Sequence, residues 1–179
     1  IKSMLEHSRG GEGQVQPVDL NDLVGNYVNL AYHGLKSQND AVDIDFDLAL
    51  ADSLPPVTLV AQEIGRVFLN LINNACHALT QKSERLGAGF SPLITVTTRD
   101  LGEAVEIRIR DNGDGIPDEI RDKVFNPFFT TKYAGEGTGL GLSLCYDIVV
   151  QGNGGTIDFE SEEGSFTEFV VVLPKQRAA

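Results

Sequence analysis

Basic residues are scarce in this chain. Its 14 lysines and arginines stand against 26 aspartates and glutamates, a formal net charge of -12 over 179 residues. That balance argues against nucleic acid or an anionic membrane as a general partner, so an anionic ligand would have to be held by local features. Long apolar runs are missing too: the longest, such as Phe169 to Pro174, fall far short of the roughly 18 residues of a helical membrane span. Cysteine is confined to Cys76 and Cys145, far apart and outside any CxxC spacing, which gives no sign of a disulfide framework and fits a reduced, cytosolic setting. No internal repeat and no low-complexity linker interrupts the chain. The opening IKSMLEHSRG has neither a signal-peptide pattern nor an initiating methionine, so it is expected to be part of a longer protein. What remains, 41% hydrophobic and 22% charged, is the make-up of an ordinary globular domain with enough residues to bury a core.

Periodicity supplies the elements. Residues 1–9 read as the end of a helix running into the loop GGEGQVQ. Leu20, Leu23, Val24, Tyr27, Val28, Ala31 and Leu35 recur at helical spacing and predict an amphipathic helix. Asp43 to Leu50 alternates Ile44, Phe46, Leu48 and Leu50 with Asp45 and Asp47, as a half-buried strand does, and SLPPV then breaks the chain. A second helix is expected over roughly 60–80, with Ile64, Val67, Phe68, Leu71, Ile72, Ala75 and Leu79 on its apolar side. LITVTT (93–98) and VEIRIR (105–110) read as a hairpin, a short helix is expected near Pro117, and a third long helix carries Leu142, Leu144, Cys145, Ile148 and Val149 until GNGG at 152–155 stops it. TIDFES and TEFVVVLP close the chain as strands. The order predicts a two-layer α/β sandwich, a mixed and mostly antiparallel sheet covered on one face by about three helices.

Several groups of residues carry chemistry. Glu63, Arg66, Asn70, Asn74 and His77 share one side of the second helix. Asparagines are poor helix formers, so the stripe is either an idiosyncratic surface or a ligand site, where an amide oxygen suits a hard cation such as Mg²⁺. Asp111 has the parity of Val105, Ile107 and Ile109, so its carboxylate is expected to point inward, and DNGDG gives the backbone room to turn for a flat ligand. An Asp-Gly turn capping a strand is the equally available alternative. Phe125, Phe128 and Phe129 form an apolar cluster expected to anchor the segment that follows, and GEGTGLGLS precedes a helix, whose free N–H groups bind anions. Taken alone, that glycine stretch reads as well as a flexible linker.

In order, NLINNA (Asn70 to Ala75), DNGDG (Asp111 to Gly115), NPFFTTK (Asn126 to Lys132) and GTGLGL (Gly137 to Leu142) resemble the N, G1, F and G2 boxes of sensor histidine kinases, over about residues 60–173. The resemblance implies the Bergerat-type ATP-binding fold shared with gyrase, heat-shock chaperone and mismatch-repair ATPases. It implies that Asp111 accepts a hydrogen bond from the adenine amino group, with a water near Thr167. It makes Asn74 the Mg²⁺ ligand, with Asn70 as a second candidate, and brings Lys132 to the phosphates. Asn70, Asn74 and Lys132 are the expected catalytic residues. The nucleotide pocket it implies also includes His77, Gly113, Gly115, Ile116, Phe129, Gly137, Thr138, Gly139, Leu140, Gly141 and Leu142. For His77 a structural or solvent-facing role stands beside the phosphate one.

Position 70, a water-activating glutamate in the gyrase-like relatives, is Asn70 here, which suits phosphoryl transfer to an imidazole better than hydrolysis and implies weak ATPase activity alone. Neither EHSRGG around His7 nor YHGL around His33 fits the family's phosphoacceptor box, so the acceptor is expected upstream. The last box departs from pattern, with Gly164 and Thr167 kept but Phe166 before the threonine. The implied protein is an ATP- and Mg²⁺-dependent protein-histidine kinase of a two-component phosphorelay. Residues 1–12 would then end a dimerisation hairpin and 13–177 form the catalytic domain. Its partners would be its own dimerisation domain and a response regulator, with homodimers only in the full-length protein and this chain alone a monomer. Localisation would be cytoplasmic, either throughout or as the cytoplasmic part of a membrane-bound sensor. An ATP-gated conformational module of the chaperone or mismatch-repair type, or a non-catalytic nucleotide-binding module, are the alternatives. Tyr133 to Thr138 is expected to be a mobile lid without nucleotide.

Overall fold

Period-two alternation of apolar residues in five segments builds one mixed sheet, and three helical segments lie on its apolar face. The computed structural model describes residues 13–36, 42–132 and 137–176. In chain order these contain β1 (Gln16–Val18), α1 (Leu20–Lys36), β2 (Asp45–Ala49), β3 (Val57–Leu59), α2 (Ala61–Leu86), β4 (Leu93–Asp100), β5 (Ala104–Asp111), a 3₁₀ turn (Asp118–Lys123), α3 (Gly141–Tyr146) with a π-helical continuation (Asp147–Gly152), β6 (Thr156–Glu162) and β7 (Phe166–Pro174). The main sheet has the order β2-β4-β5-β7-β6. Its only parallel pair among the described residues joins β2 to β4.

The helices form for legible reasons. Asp19 caps α1, its carboxylate accepting the Asp22 amide at 3.1 Å, and Leu20, Val24, Val28 and Ala31 then bury one stripe. On α2 the stripe from Ile64 to Leu79 faces the sheet, where Phe68, Leu71, Ile72 and Leu79 are essentially inaccessible. Each such side chain contributes about 1.5–3 kcal/mol of burial. From the sheet come Ile94 and Val96, then Val105, Ile107 and Ile109, then Phe169, Val171 and Leu173. The α2 helix runs six residues past the expected 80, because QKSERL is polar enough to hide its helical continuation. It stops at Gly87, whose amide bonds back to Ser83 O.

Three expectations need correction. The break SLPPV is followed at once by β3, which pairs antiparallel with β1 (Pro17↔Thr58), a small second sheet absent from the prediction; three-residue strands are too short to show alternation. The third helix is not uniformly α-helical: its second half widens into a π turn, where the Asn153 side chain donates to Ile148 O at 2.8 Å. The strand predicted over 43–50 is Asp45–Ala49, and it is less buried than its alternation implies, because Leu48 near the sheet edge stays 42% exposed. No helix among the described residues is long and apolar enough to cross a membrane.

Candidate functional site

A cleft of about 540 Å³ lies between α2, the end of β5, the segment 114–132, the glycines before α3, and β7. That volume suits a small-molecule ligand. The polar stripe of α2 supplies one wall with Asn70, Asn73, Asn74 and His77; Glu63 and Arg66, further back on the same stripe, stay outside it.

At one end sits Asp111, on the core face as its parity predicts and only 4% exposed. It closes β5 and pairs in register with Thr167 of β7. One carboxylate oxygen accepts the Gly113 amide at 2.9 Å. A Cβ at Gly113 would come within 2.6 Å of that oxygen, so a side chain there would displace it. Burial pushes the Asp111 carboxyl up to about 6; the Gly113 amide, the charges of Lys82 and Arg110 and the Thr167 amide pull the other way without cancelling it. Keeping this carboxylate ionised at neutral pH therefore costs about 3 kcal/mol. The buried Thr167 hydroxyl finds its partner in Ser161 Oγ at 3.3 Å, and Ser161 Oγ also receives the Ile116 amide at 2.8 Å. Gly115, at φ 73°, turns the chain against the Glu162 backbone, where a Cβ would overlap it.

At the other end Lys132 Nζ donates to Asn74 Oδ1 at 3.2 Å, so both side chains face the same space. Gly141 opens α3 with its Cα beside Asn70, where a Cβ would stand 3.4 Å from the amide oxygen. Gly139 has φ 66° and packs against the Phe128 backbone, with no room for a Cβ. Gly137 lies beside Lys132, and Thr138 and Leu142 complete this wall.

The cleft thus gathers Asn70, Asn74, His77, Asp111, Gly115, Ile116, Phe129, Lys132, Gly137, Thr138, Gly139, Gly141, Leu142 and Thr167. Gly113 acts from behind Asp111, and Leu140 points elsewhere, 41% exposed. Most of the expected lid, residues 133–136, lies outside the described residues. The three phenylalanines do not form one cluster. Phe125 packs among Tyr146, Phe159 and Phe169 at ring distances of 6.0–6.4 Å, Phe129 lines the cleft, and Phe128 is 76% exposed with φ 66°. Phe166, the departure in the last box, stacks under the Arg110 guanidinium at 3.7 Å on the opposite face of the sheet, away from the cleft. Sequence reasoning missed Gln81 and Asp114 at the rim. Asp114 carries an ion pair to Arg85 and accepts the Gly164 amide at 2.6 Å through its carbonyl.

Residues 60–177 match the histidine kinase-, DNA gyrase B-, and HSP90-like ATPases. The chain belongs to this family. The sensor histidine kinase ZraS of Escherichia coli (strain K12) is 34% identical over 174 residues, which are 97% of this chain and 34% of ZraS. The chain thus spans about a third of that relative's length. Among solved structures, the nucleotide-free catalytic domain of the histidine kinase ThkA superposes with a TM-score of 0.72 at 29% identity, covering 91% of this chain and 97% of that one. ThkA in complex with the response regulator protein TrrA gives a TM-score of 0.70 at 29% identity, over 97% of this chain and 46% of that one. The fold is that of a histidine kinase catalytic domain, and the family assigns an ATP-binding ATPase-type domain to it.

Proposed function

We propose that this chain is the ATP-binding catalytic part of a two-component sensor histidine kinase, and that it passes the γ-phosphoryl group of ATP to a histidine on a dimerisation domain outside these 179 residues. The observation that carries this reading is chemical. The Asn70–Asn74 end of the cleft offers amides, Lys132, hydroxyls and glycine amides, while among the described residues both carboxylates lining the cleft, Asp111 and Asp114, stand at the other end. A hydrolase would need a base beside the phosphates to activate water; an imidazole acceptor is already a nucleophile and needs only alignment and charge neutralisation.

Adenine fits the Asp111 end because a buried carboxylate, one oxygen of which receives the Gly113 amide, keeps acceptor lone pairs for an exocyclic amine. Asn74 Oδ1, with Asn70 as second donor, suits Mg²⁺, which takes few protein ligands and is held largely by phosphate oxygens. Bound there, Mg²⁺ would supply neutralisation of phosphate charge. Lys132 would bring a further positive charge to the same oxygens, and the amides around Gly137 to Gly141 would receive them where a Cβ at Gly139 would block approach. Leu140, Leu144 and Tyr146, each 40–41% exposed, and Phe128 offer an apolar surface beside the cleft for the dimerisation domain. A response regulator would receive the phosphoryl group afterwards. The buried, unpaired thiols of Cys76 and Cys145 suit a reducing cytosol.

The test is phosphotransfer in trans. With MgATP, the chain should phosphorylate histidine on the hairpin of its own full-length protein, while ATP turnover without the hairpin stays slow. Brisk hydrolysis by the chain alone, or ATP binding without transfer, would refute the kinase reading.

A further inference from the structure

Lys82 breaks the apolar stripe of α2. Three residues beyond Leu79, where the core-facing pattern continues, stands a lysine only 8% exposed. Its Nζ donates to three backbone carbonyls, Asn112 O at 2.9 Å, Gly113 O at 2.9 Å and Gly164 O at 3.0 Å, and lies 5.0 Å from the centroid of the Phe90 ring. An ammonium has three hydrogens, and here each has a carbonyl. Two of those carbonyls follow directly on Asp111, and the third belongs to the β6–β7 turn that leads to Thr167. The Gly113 residue is held at both ends: its N–H donates to Asp111 Oδ1 and its C=O receives Lys82.

None of these partners is a carboxylate. A buried cation whose whole hydrogen-bonding capacity goes to the two loops flanking one side chain is placed to set that side chain. We propose that Lys82 is a positioning residue for base selection: by pinning the Asn112–Gly113 peptides to the Gly164 turn it orients the Asp111 carboxylate toward the exocyclic amine of the purine. The proposal rests on the reading of the cleft as an ATP site. A lysine that merely stabilised the fold would affect all nucleotides alike.

The experiment compares ATP with inosine triphosphate, which carries a carbonyl in place of the amine, by calorimetric titration of the whole chain as wild type, Lys82→Met and Lys82→Arg. Wild type should prefer ATP. Lys82→Met should lose at least about tenfold in ATP affinity while inosine triphosphate binding changes less than about twofold, because the loss falls on the contact Asp111 makes. Lys82→Arg, which keeps charge and donors, should recover part of the preference. In the full-length kinase Lys82→Met should raise KM for ATP with kcat at saturation unchanged. An unchanged ATP-to-inosine-triphosphate ratio in Lys82→Met, whether both bind normally or both weaken together, overturns the proposal. Should Lys82→Met fail to fold, Lys82→Arg decides: amide exchange at Gly113 and Gly164 should quicken together with a reduced ratio, and faster exchange with an intact ratio overturns the proposal. A wild type that binds neither nucleotide overturns the ATP reading and this inference with it, whereas an ATP-selective wild type with an equally selective Lys82→Met overturns the inference alone.

Discussion

The two ends of the cleft are built from opposite materials. At the Asp111 end the polar atoms are committed before any ligand arrives: Asp111 to Gly113, Thr167 to Ser161, Ser161 to Ile116, and Lys82 to three carbonyls. At the Asn70–Asn74 end the bond from Lys132 to Asn74 crosses the space, the Thr130 and Thr138 hydroxyls accept the Lys132 and Leu140 amides at 3.1 and 3.4 Å, and Thr130, Thr131 and Thr138 are exposed. The first end is buried and holds its geometry in advance; the second is exposed and open to a ligand. The buried carboxylate of the first end carries a desolvation penalty that a fitting donor can relieve, which turns burial into specificity.

The largest effect should follow from breaking the prebuilt end. Asp111→Asn keeps an acceptor for the Gly113 amide but can present an NH₂ donor where, on the proposed reading, the adenine amine would donate. ATP affinity should fall at least about 100-fold, since a donor faces a donor in a desolvated site. The thermal midpoint at pH 7 should hold or rise, because the variant removes a carboxylate whose burial is unfavourable when ionised. Calorimetry beside a melting curve checks both, and ATP binding equal to wild type would end the assignment of Asp111.

That end was also the more legible in sequence, for a physical reason. Strand parity alone turns Asp111 inward, and Thr167 shares the parity of Phe169, Val171 and Leu173. Helical spacing likewise brought Asn70, Asn74 and His77 to one wall. Lys82 carried a signal too, a lysine in an apolar stripe, but its partners are backbone carbonyls 30 to 82 residues away, which no side-chain pattern marks. The different fates of Phe125, Phe128 and Phe129 were hidden for a similar reason, because a positive φ at Phe128 turns one ring outward while its neighbours turn in. The strands β1 and β3 and the π turn after α3 are set by tertiary pairing and by one buried asparagine rather than by period.

At the open end Asn74→Ala should act through the metal. With Mg²⁺ present, ATP affinity should drop about tenfold or more if Asn74 is the metal ligand proposed; with Mg²⁺ chelated the variant and wild type should then bind alike. An equal loss in both conditions would move Asn74 from the metal to packing.

Acid should separate the two ends without mutation. The folded-state value of Asp111 is raised to about 6 from 3.8, so the folded chain takes up more protons than the unfolded chain between these values. The unliganded chain should therefore gain stability from this group as pH falls from 7 toward 4, opposite to the usual acid destabilisation. On the proposed reading ATP binding should move the other way, weakening about tenfold between pH 7 and pH 5 as the carboxylate proposed to receive the amine is protonated. Asp111→Asn should flatten this profile. His77 also lines the cleft, and His77→Gln should leave the profile unchanged if Asp111 is its source.

The smallest effect sharpens the comparison most, because it concerns strain rather than a ligand. Phe128 holds φ 66° with its ring 76% exposed, an arrangement that gains nothing from burial. A bulky residue in the left-handed region costs on the order of 1 kcal/mol or more, and such strain persists where the surroundings enforce it; here the Phe128 backbone is pressed against Gly139 in the glycine-rich lead into α3. Phe128→Gly should relieve that strain and raise stability by about 1 kcal/mol, whereas Phe128→Ala, still an L-residue at positive φ, should shift it by less than about 0.5 kcal/mol. Both should bind MgATP within about twofold of wild type. If the exposed ring serves the dimerisation domain, both should slow phosphotransfer to the hairpin while nucleotide affinity holds. Denaturant melts, titration and the transfer assay on these two variants distinguish the possibilities: a loss confined to Phe128→Gly assigns the function to the strained backbone, and an equal loss in both assigns it to the ring.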